Sequence, residues 1–191
     1  MAYGLMVLWF AAVLVSMAVA ASPVLLIDDF SRDGVSALGT SWQTFTDRVM
    51  GGVSDGQAAV EMLDGKRCLR LRGRVSLENQ GGFVQTALPL AKEGDTFDGS
   101  AFKGIRLLVK GNGHRYYIHL RTDDTRLPWQ YYAAGFDAGP DWTSVDIPFS
   151  AFEPENLRPA LDTGKLRRLA IVAAKQAFAA DVAVARIELY N

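Results

Sequence analysis

Few residues in this chain are equipped for chemistry. Histidine occurs twice, at His114 and His119. Their odd separation sends them to opposite faces of a regular strand, so they do not make a shared metal site. Cysteine occurs once, at Cys68, close to Lys66, Arg67 and Arg70. Neighbouring cations lower a thiol's pKa. With no general base in view, however, Cys68 reads as a small thiol on a strand. A single cysteine also excludes an intramolecular disulfide. HExxH, CxxC, P-loop and GxGxxG patterns do not occur, so zinc and nucleotide signatures are missing, and no strand-turn-helix nucleophile elbow of a serine hydrolase is read. A carboxylate dyad assembled by the fold is the remaining route to a hydrolase. Asp123-Asp124 reads as a solvated turn or a cation-facing loop end. No metal or cofactor is called for, and binding is expected rather than catalysis.

Binding chemistry is better represented. Asp47-Arg48-Val49-Met50-Gly51-Gly52-Val53-Ser54 places a glycine pair between an acid and a hydroxyl, and Ser76-Leu77-Glu78-Asn79-Gln80-Gly81-Gly82-Phe83 echoes it. Glycine pairs go where the backbone needs φ > 0 or must approach another group closely. Asp47, Met50, Gly51, Gly52, Ser54, Glu78, Asn79, Gly81 and Gly82 are therefore a candidate loop cluster. The intervening runs, Gln57 to Leu63 and Arg67 to Leu77, alternate like strands, and Asp64-Gly65 between them suits a hairpin turn. Going out along one strand and back along the next brings both glycine pairs to one end of a sheet. Asp47, Ser54, Glu78 and Asn79 would then be neighbours. Short polar side chains there either brace the turns or touch a ligand.

A second candidate surface is basic and aromatic. Arg70, Arg72 and Arg74 share one strand face, and Arg115, Tyr117, His119 and Arg121 share another. If both strands belong to one sheet, its outer face is positive and suits an anionic partner. Otherwise each is a solvated face with acidic neighbours such as Glu61. Trp129 and Tyr131 point one way and Tyr132 and Phe136 the other, so one pair is core and the other either stacks on a sugar or side chain or, where a loop covers it, is core as well.

The elements that hold these residues read as strands. Runs at Val24–Phe30, Gly82–Leu90, Gly104–Lys110, His114–Thr122, Trp129–Phe136, Trp142–Pro148, Arg168–Lys175 and Val182–Tyr190 join the two above, for nine or ten strands. Lys110-Gly111-Asn112-Gly113-His114 reads as a tight hairpin turn. Ala151 to Lys165 reads as a loop with at most one helical turn. No long window after the first residues has helical periodicity, which predicts an all-β sandwich or jelly roll. The 191 residues carry 20 Lys+Arg against 21 Asp+Glu. That balance gives no reason to expect nucleic-acid binding. Residues 1–21 contain no charged side chain and end in Ala18-Val19-Ala20-Ala21. They read as a signal peptide or an uncleaved anchor, so the domain at 22–191 is expected to be exported, periplasmic or extracellular, or held outward on a membrane.

The order of these motifs resembles the complex I intermediate-associated protein 30 family. The matching residues are Trp42 with Asp47-x-Val49-Met50-Gly51-Gly52-x-Ser54, and Leu71-x-Gly73 leading to Ser76-Leu77-Glu78-Asn79-x-Gly81-Gly82-Phe83. Phe102-Lys103-Gly104-Ile105, Lys110 to Tyr116, Trp142 to Phe152 and Ile187-x-Leu189-Tyr190 continue the likeness. Leu71, where an aromatic is usual, and Asn112, where an acid is usual, depart from it. The resemblance implies a galactose-binding-like β-sandwich and a non-enzymatic chaperone that helps assemble a membrane complex through a protein partner. The same sandwich also hosts carbohydrate-binding modules, so a glycan is the alternative partner by fold analogy. A hydrolase with a hidden carboxylate pair is the third reading.

Overall fold

The computed structural model describes residues 24–191, and the leader at residues 1–21 lies outside them. Twelve strands follow in order: β1 (Leu25–Asp28), β2 (Gln43–Thr46), β3 (Asp55–Leu63), β4 (Lys66–Val75), β5 (Phe83–Pro89), β6 (Gly104–Gly111), β7 (Arg115–Thr122), β8 (Tyr131–Asp137), β9 (Thr143–Pro148), β10 (Glu153–Glu155), β11 (Leu166–Ala174) and β12 (Phe178–Tyr190). The helical content of these residues is limited to four short 3-10 turns. The strands form two six-stranded sheets. The first runs β3-β4-β12-β6-β9, with β1 also on β12, and the second runs β10-β8-β7-β11-β5-β2. All pairings are antiparallel. This is the β-sandwich expected, with two strands more than the sequence suggested. Short β2 and β10 carry too few residues for an alternation to register.

The core forms where the inward faces meet. On β4, Leu69, Leu71 and Val75 are buried inward, and on β12, Val182, Val184, Ile187 and Leu189 join them. Tyr116 and Tyr132 are fully buried between the sheets. Burial obliges each hydroxyl to find a partner. Tyr116 donates to Asn112 Oδ1 (2.6 Å) and accepts from the Asp181 N–H (2.9 Å), and Tyr132 donates to the Ala160 carbonyl (3.3 Å). Tyr132 and Phe136 are thus the core members of their strand, a choice that the alternation left open.

Two details of chain path differ from expectation. Asp64-Gly65 does close the β3–β4 hairpin, pairing Leu63 with Lys66, with φ of 48° and 75° at the two turn residues. That is the doubly left-handed turn that matches strand twist. The glycine turn at 110–114 does not make a hairpin. It carries the chain from β6 in the first sheet to β7 in the second. Glycine turn chemistry reports a reversal but not whether the flanking strands pair. Trp129 is also not in strand register with Tyr131: it sits in the turn before β8.

Candidate functional site

The two glycine stretches meet at Asp47. Its carboxylate is fully buried and receives four donors. Ser54 gives its N–H to Oδ1 (2.9 Å) and its hydroxyl to Oδ2 (2.5 Å). Gly82 and Phe83 give their N–H groups to Oδ2 (2.6 and 3.3 Å). Ser54 Oγ also accepts from the Ser76 N–H at 2.9 Å. The Asp47 carboxylate therefore ties the start of β3 to the start of β5, and the Ser54 hydroxyl extends the link to the end of β4. Burial opposes its charge, but the donors from Ser54, Gly82 and Phe83 outweigh it and hold the carboxyl below the ordinary 3.8.

The glycines follow from this clamp. A Cβ on Gly52 would overlap the Asp47 carboxyl, as would one on Gly81. Gly51 ends the 3-10 turn Asp47–Met50 at φ 90°, and Gly82 sits at φ 134° while donating to Asp47. Glu78 lies at the same loop end, its carbonyl beside the Gly81 that touches the Asp47 carboxyl, but only Ser54 of the expected polar neighbours bonds Asp47 through its side chain. Glu78 and Asn79 are both exposed, and neither side chain bonds Asp47 among the described residues. Met50 is exposed too, as are Val49 in the same 3-10 turn and Leu77 before the second glycine pair, at 55, 71 and 52 % exposure respectively. The cluster is thus a buried polar brace with exposed apolar residues on its loops.

Gly52→Ala is expected to cost about 2–3 kcal/mol by overpacking against Asp47. Gly34→Ala should cost about 1 kcal/mol, from the left-handed backbone alone. Gly34 has φ 71° and open space around it. Urea unfolding of the two variants checks the order, and equal losses would remove Asp47 as the cause.

The basic face does not form as one surface. Arg70, Arg72 and Arg74 are on β4 in the first sheet, whereas Arg115 to Arg121 are on β7 in the second. Arg70 makes a two-pronged pair with Asp181 (2.6 and 2.7 Å) and reaches Glu61 (2.9 Å), and Arg72 bonds Glu61 (2.7 Å). Acids across the strands neutralise most of that row. Cys68 beside it is buried with Ala183 and Ala185, and burial, followed by the Glu61 charge, pushes its thiol pKa up.

The outer face of the second sheet is where the remaining candidates converge. Register places Tyr117, His119 and Arg121 of β7 beside Val172, Ala170 and Arg168 of β11. Ala133 of β8 lies across from His119, two residues after Tyr131. His119 and Tyr131 stack at 4.0 Å between centroids and 11° between planes. Tyr117 lies 6.4 Å from His119, with Lys175 Nζ 5.1 Å from the Tyr117 centroid. His119 is 9 % exposed and its Nε2 has no partner among the described residues. Burial, then the charges of Lys175 and Arg168, drive its pKa down to about 3, so the imidazole is neutral. Arg121 is not a free cation: it donates to Thr125 Oγ1 (3.3 Å) and to the Thr125 and Leu127 carbonyls (2.9 Å each). Those bonds fix the loop that carries Trp129, which is 53 % exposed. Arg168 and Lys175 were not among the sequence candidates. The alternation Arg168, Ala170, Val172, Ala174 on β11 is the signal that puts Arg168 on this face.

Two antiparallel sheets, braced loops and an aromatic outer face define a galactose-binding-like β-sandwich of the kind found in carbohydrate-binding modules. The structure is similar to the family 11 carbohydrate-binding module of the cellulosomal cellulase Lic26A-Cel5E of Clostridium thermocellum (TM-score 0.68, 16 % identity, 90 % of this chain and 96 % of that one). It is similar also to a family 11 module from Clostridium thermocellum in complex with a β-1,3-1,4-mixed-linked tetrasaccharide (TM-score 0.67, 16 % identity, 90 % and 97 %). A family 30 carbohydrate-binding module gives a TM-score of 0.63 at 16 % identity over 88 % and 87 % of the two chains. At such identities the likeness establishes the fold. By sequence, residues 30–182 match the complex I intermediate-associated protein 30 family, and the chain belongs to that family. No curated protein matches it.

Proposed function

We propose that this protein is a non-enzymatic binding module that holds a saccharide chain along the outer face of its second sheet. The observation that carries this reading is the Tyr131–His119 stack with Tyr117 beside it. Stacked rings, held rigid by a sheet, present flat apolar area at low entropic cost, and polar groups around them orient a ligand. The similar module in complex with a mixed-linked tetrasaccharide supports a sugar as the ligand. The charge-free leader supports a place outside the cytoplasm, where polysaccharides are met.

A second reading rests on the braced loops. Val49, Met50 and Leu77 are apolar, exposed and mounted on loops that Asp47 fixes. Together with family membership, this supports a protein partner of the assembly-factor kind. Calorimetric titration with a panel of neutral and acidic oligosaccharides separates the two. Tyr131→Ala should weaken saccharide binding by about tenfold, or ~1.4 kcal/mol, at unchanged melting temperature. Loss of a membrane-extract partner in Val49→Ser/Met50→Ser, with no oligosaccharide bound by the wild type, would favour the second reading.

A further inference from the structure

The outer face of the second sheet has a charge arrangement that a neutral ligand does not explain. Most of its cations are matched. Arg115 pairs with Asp137 (3.4 Å), Lys175 with Glu155 (2.8 Å) and Arg167 with Asp123 (3.3 Å). Arg168 is the exception. It sits mid-sheet between Pro89 on β5 and Arg121 on β7. Its side chain is half-buried and meets no acid among the described residues, so burial alone shifts its pKa downward. Directly across the strand pair is another guanidinium, Arg121, whose bonds all go to neutral oxygens. Like charges placed opposite each other on neighbouring strands are destabilising. Burial first, then Arg168 and Arg167, depress the Arg121 pKa as well.

The surroundings point the same way. The groove beside this pair is lined also by Lys92, Arg126 and Arg167, against the acids Glu93, Asp95 and Asp123. Two residues further along β7 and β11, on the same face, is His119 with Ala170, so the cation pair adjoins the aromatic stack. A guanidinium offers a planar two-pronged fork that fits a carboxylate. A structure that keeps two desolvated cations face to face, at a cost to its stability, is arranged to receive an anion there.

We propose that Arg168, with Arg121 behind it, is a carboxylate subsite, and that the ligand is an acidic saccharide whose uronate group docks there while a ring lies against Tyr131. This rests on the saccharide reading above and sharpens it. The test is calorimetric titration of the full domain with trigalacturonate and with neutral cellotriose, in wild type, Arg168→Gln and Arg168→Lys. Wild type should bind trigalacturonate at least about tenfold tighter than cellotriose at low salt, and the preference should shrink as salt screens it. Arg168→Gln should abolish that preference while melting no lower than wild type, because the lost cation was uncompensated. Arg168→Lys, which keeps the charge without the fork, should retain part of it. Equal binding of the two sugars by wild type would overturn the subsite and leave the saccharide reading standing. An undiminished acid preference in Arg168→Gln, or in Arg168→Lys should the first variant not fold, would also overturn it. Failure of both sugars to bind wild type would remove the saccharide reading and the subsite together.

Discussion

Asp47→Ala is expected to lower the melting temperature by about 10 °C or more, from a loss of ~3–5 kcal/mol. The alanine would strand the N–H groups of Ser54, Gly82 and Phe83 and the Ser54 hydroxyl, all of which now end on one buried carboxylate. Each buried donor left without a partner costs about 1–3 kcal/mol, and bonds to a charged acceptor are the stronger kind. Water entering the loop end would recover part of this. The remainder is a large share of the ~5–15 kcal/mol that keeps a domain folded. Asp47→Asn should fall between the two, since it keeps one acceptor oxygen and turns an amide donor towards donors. Neither change should alter the affinity per folded molecule, because Asp47 is fully buried. Thermal melts together with titrations on the folded fraction check both points. A variant that melts like wild type but no longer binds would make Asp47 a ligand contact instead of a brace.

The same residue shows how much could be read without coordinates. The hairpin through Asp64-Gly65, the shared end of the two glycine loops and the opposite facing of Tyr131 and Tyr132 all follow from turn chemistry and period-two alternation, which are local signals. What those signals cannot carry is partnership between distant segments. Asp47 meets Gly82 across 35 residues, and nothing local distinguishes its acid from the exposed Glu78. Asp28 is a further case: it is buried and accepts from Trp42 Nε1 at 2.8 Å, a partner 14 residues away. The two arginine rows looked alike by spacing. Only the sheet order puts them on opposite sheets, one cancelled by Glu61 and Asp181 and the other leading to unmatched Arg168. Alternation assigns a residue to a face, whereas charge balance on that face depends on which strands become neighbours.

The second large effect is loss of stability in mild acid, through His119. Folding drives its pKa from the ordinary 6.5 to about 3, by burial first and then by the charges of Lys175 and Arg168. The groups packed round the ring are Tyr131, stacked on it, and Tyr117. Neither is a carboxylate, the kind of neighbour that would favour an imidazolium. Below pH 6.5 the unfolded chain therefore takes up a proton that the folded chain refuses. The stabilisation is fully present above 6.5 and is lost as pH falls towards 3, at a slope approaching roughly 1.4 kcal/mol per pH unit. From pH 7 to pH 5 the loss should be about 2 kcal/mol. Asp47 acts only lower down, because its folded pKa lies below 3.8. Asp28, whose pKa burial raises, works in the opposite sense: its folded form takes up protons more readily and gains relative stability as pH falls. Comparison with a variant isolates the histidine from both. His119→Phe keeps a ring against Tyr131, removes the partnerless Nε2 and cannot titrate. Its urea midpoint should stay nearly level between pH 7 and pH 5 while that of the wild type drops. If both proteins lose stability with the same slope over that interval, His119 is not the group that the fold holds neutral, and the acid sensitivity belongs elsewhere.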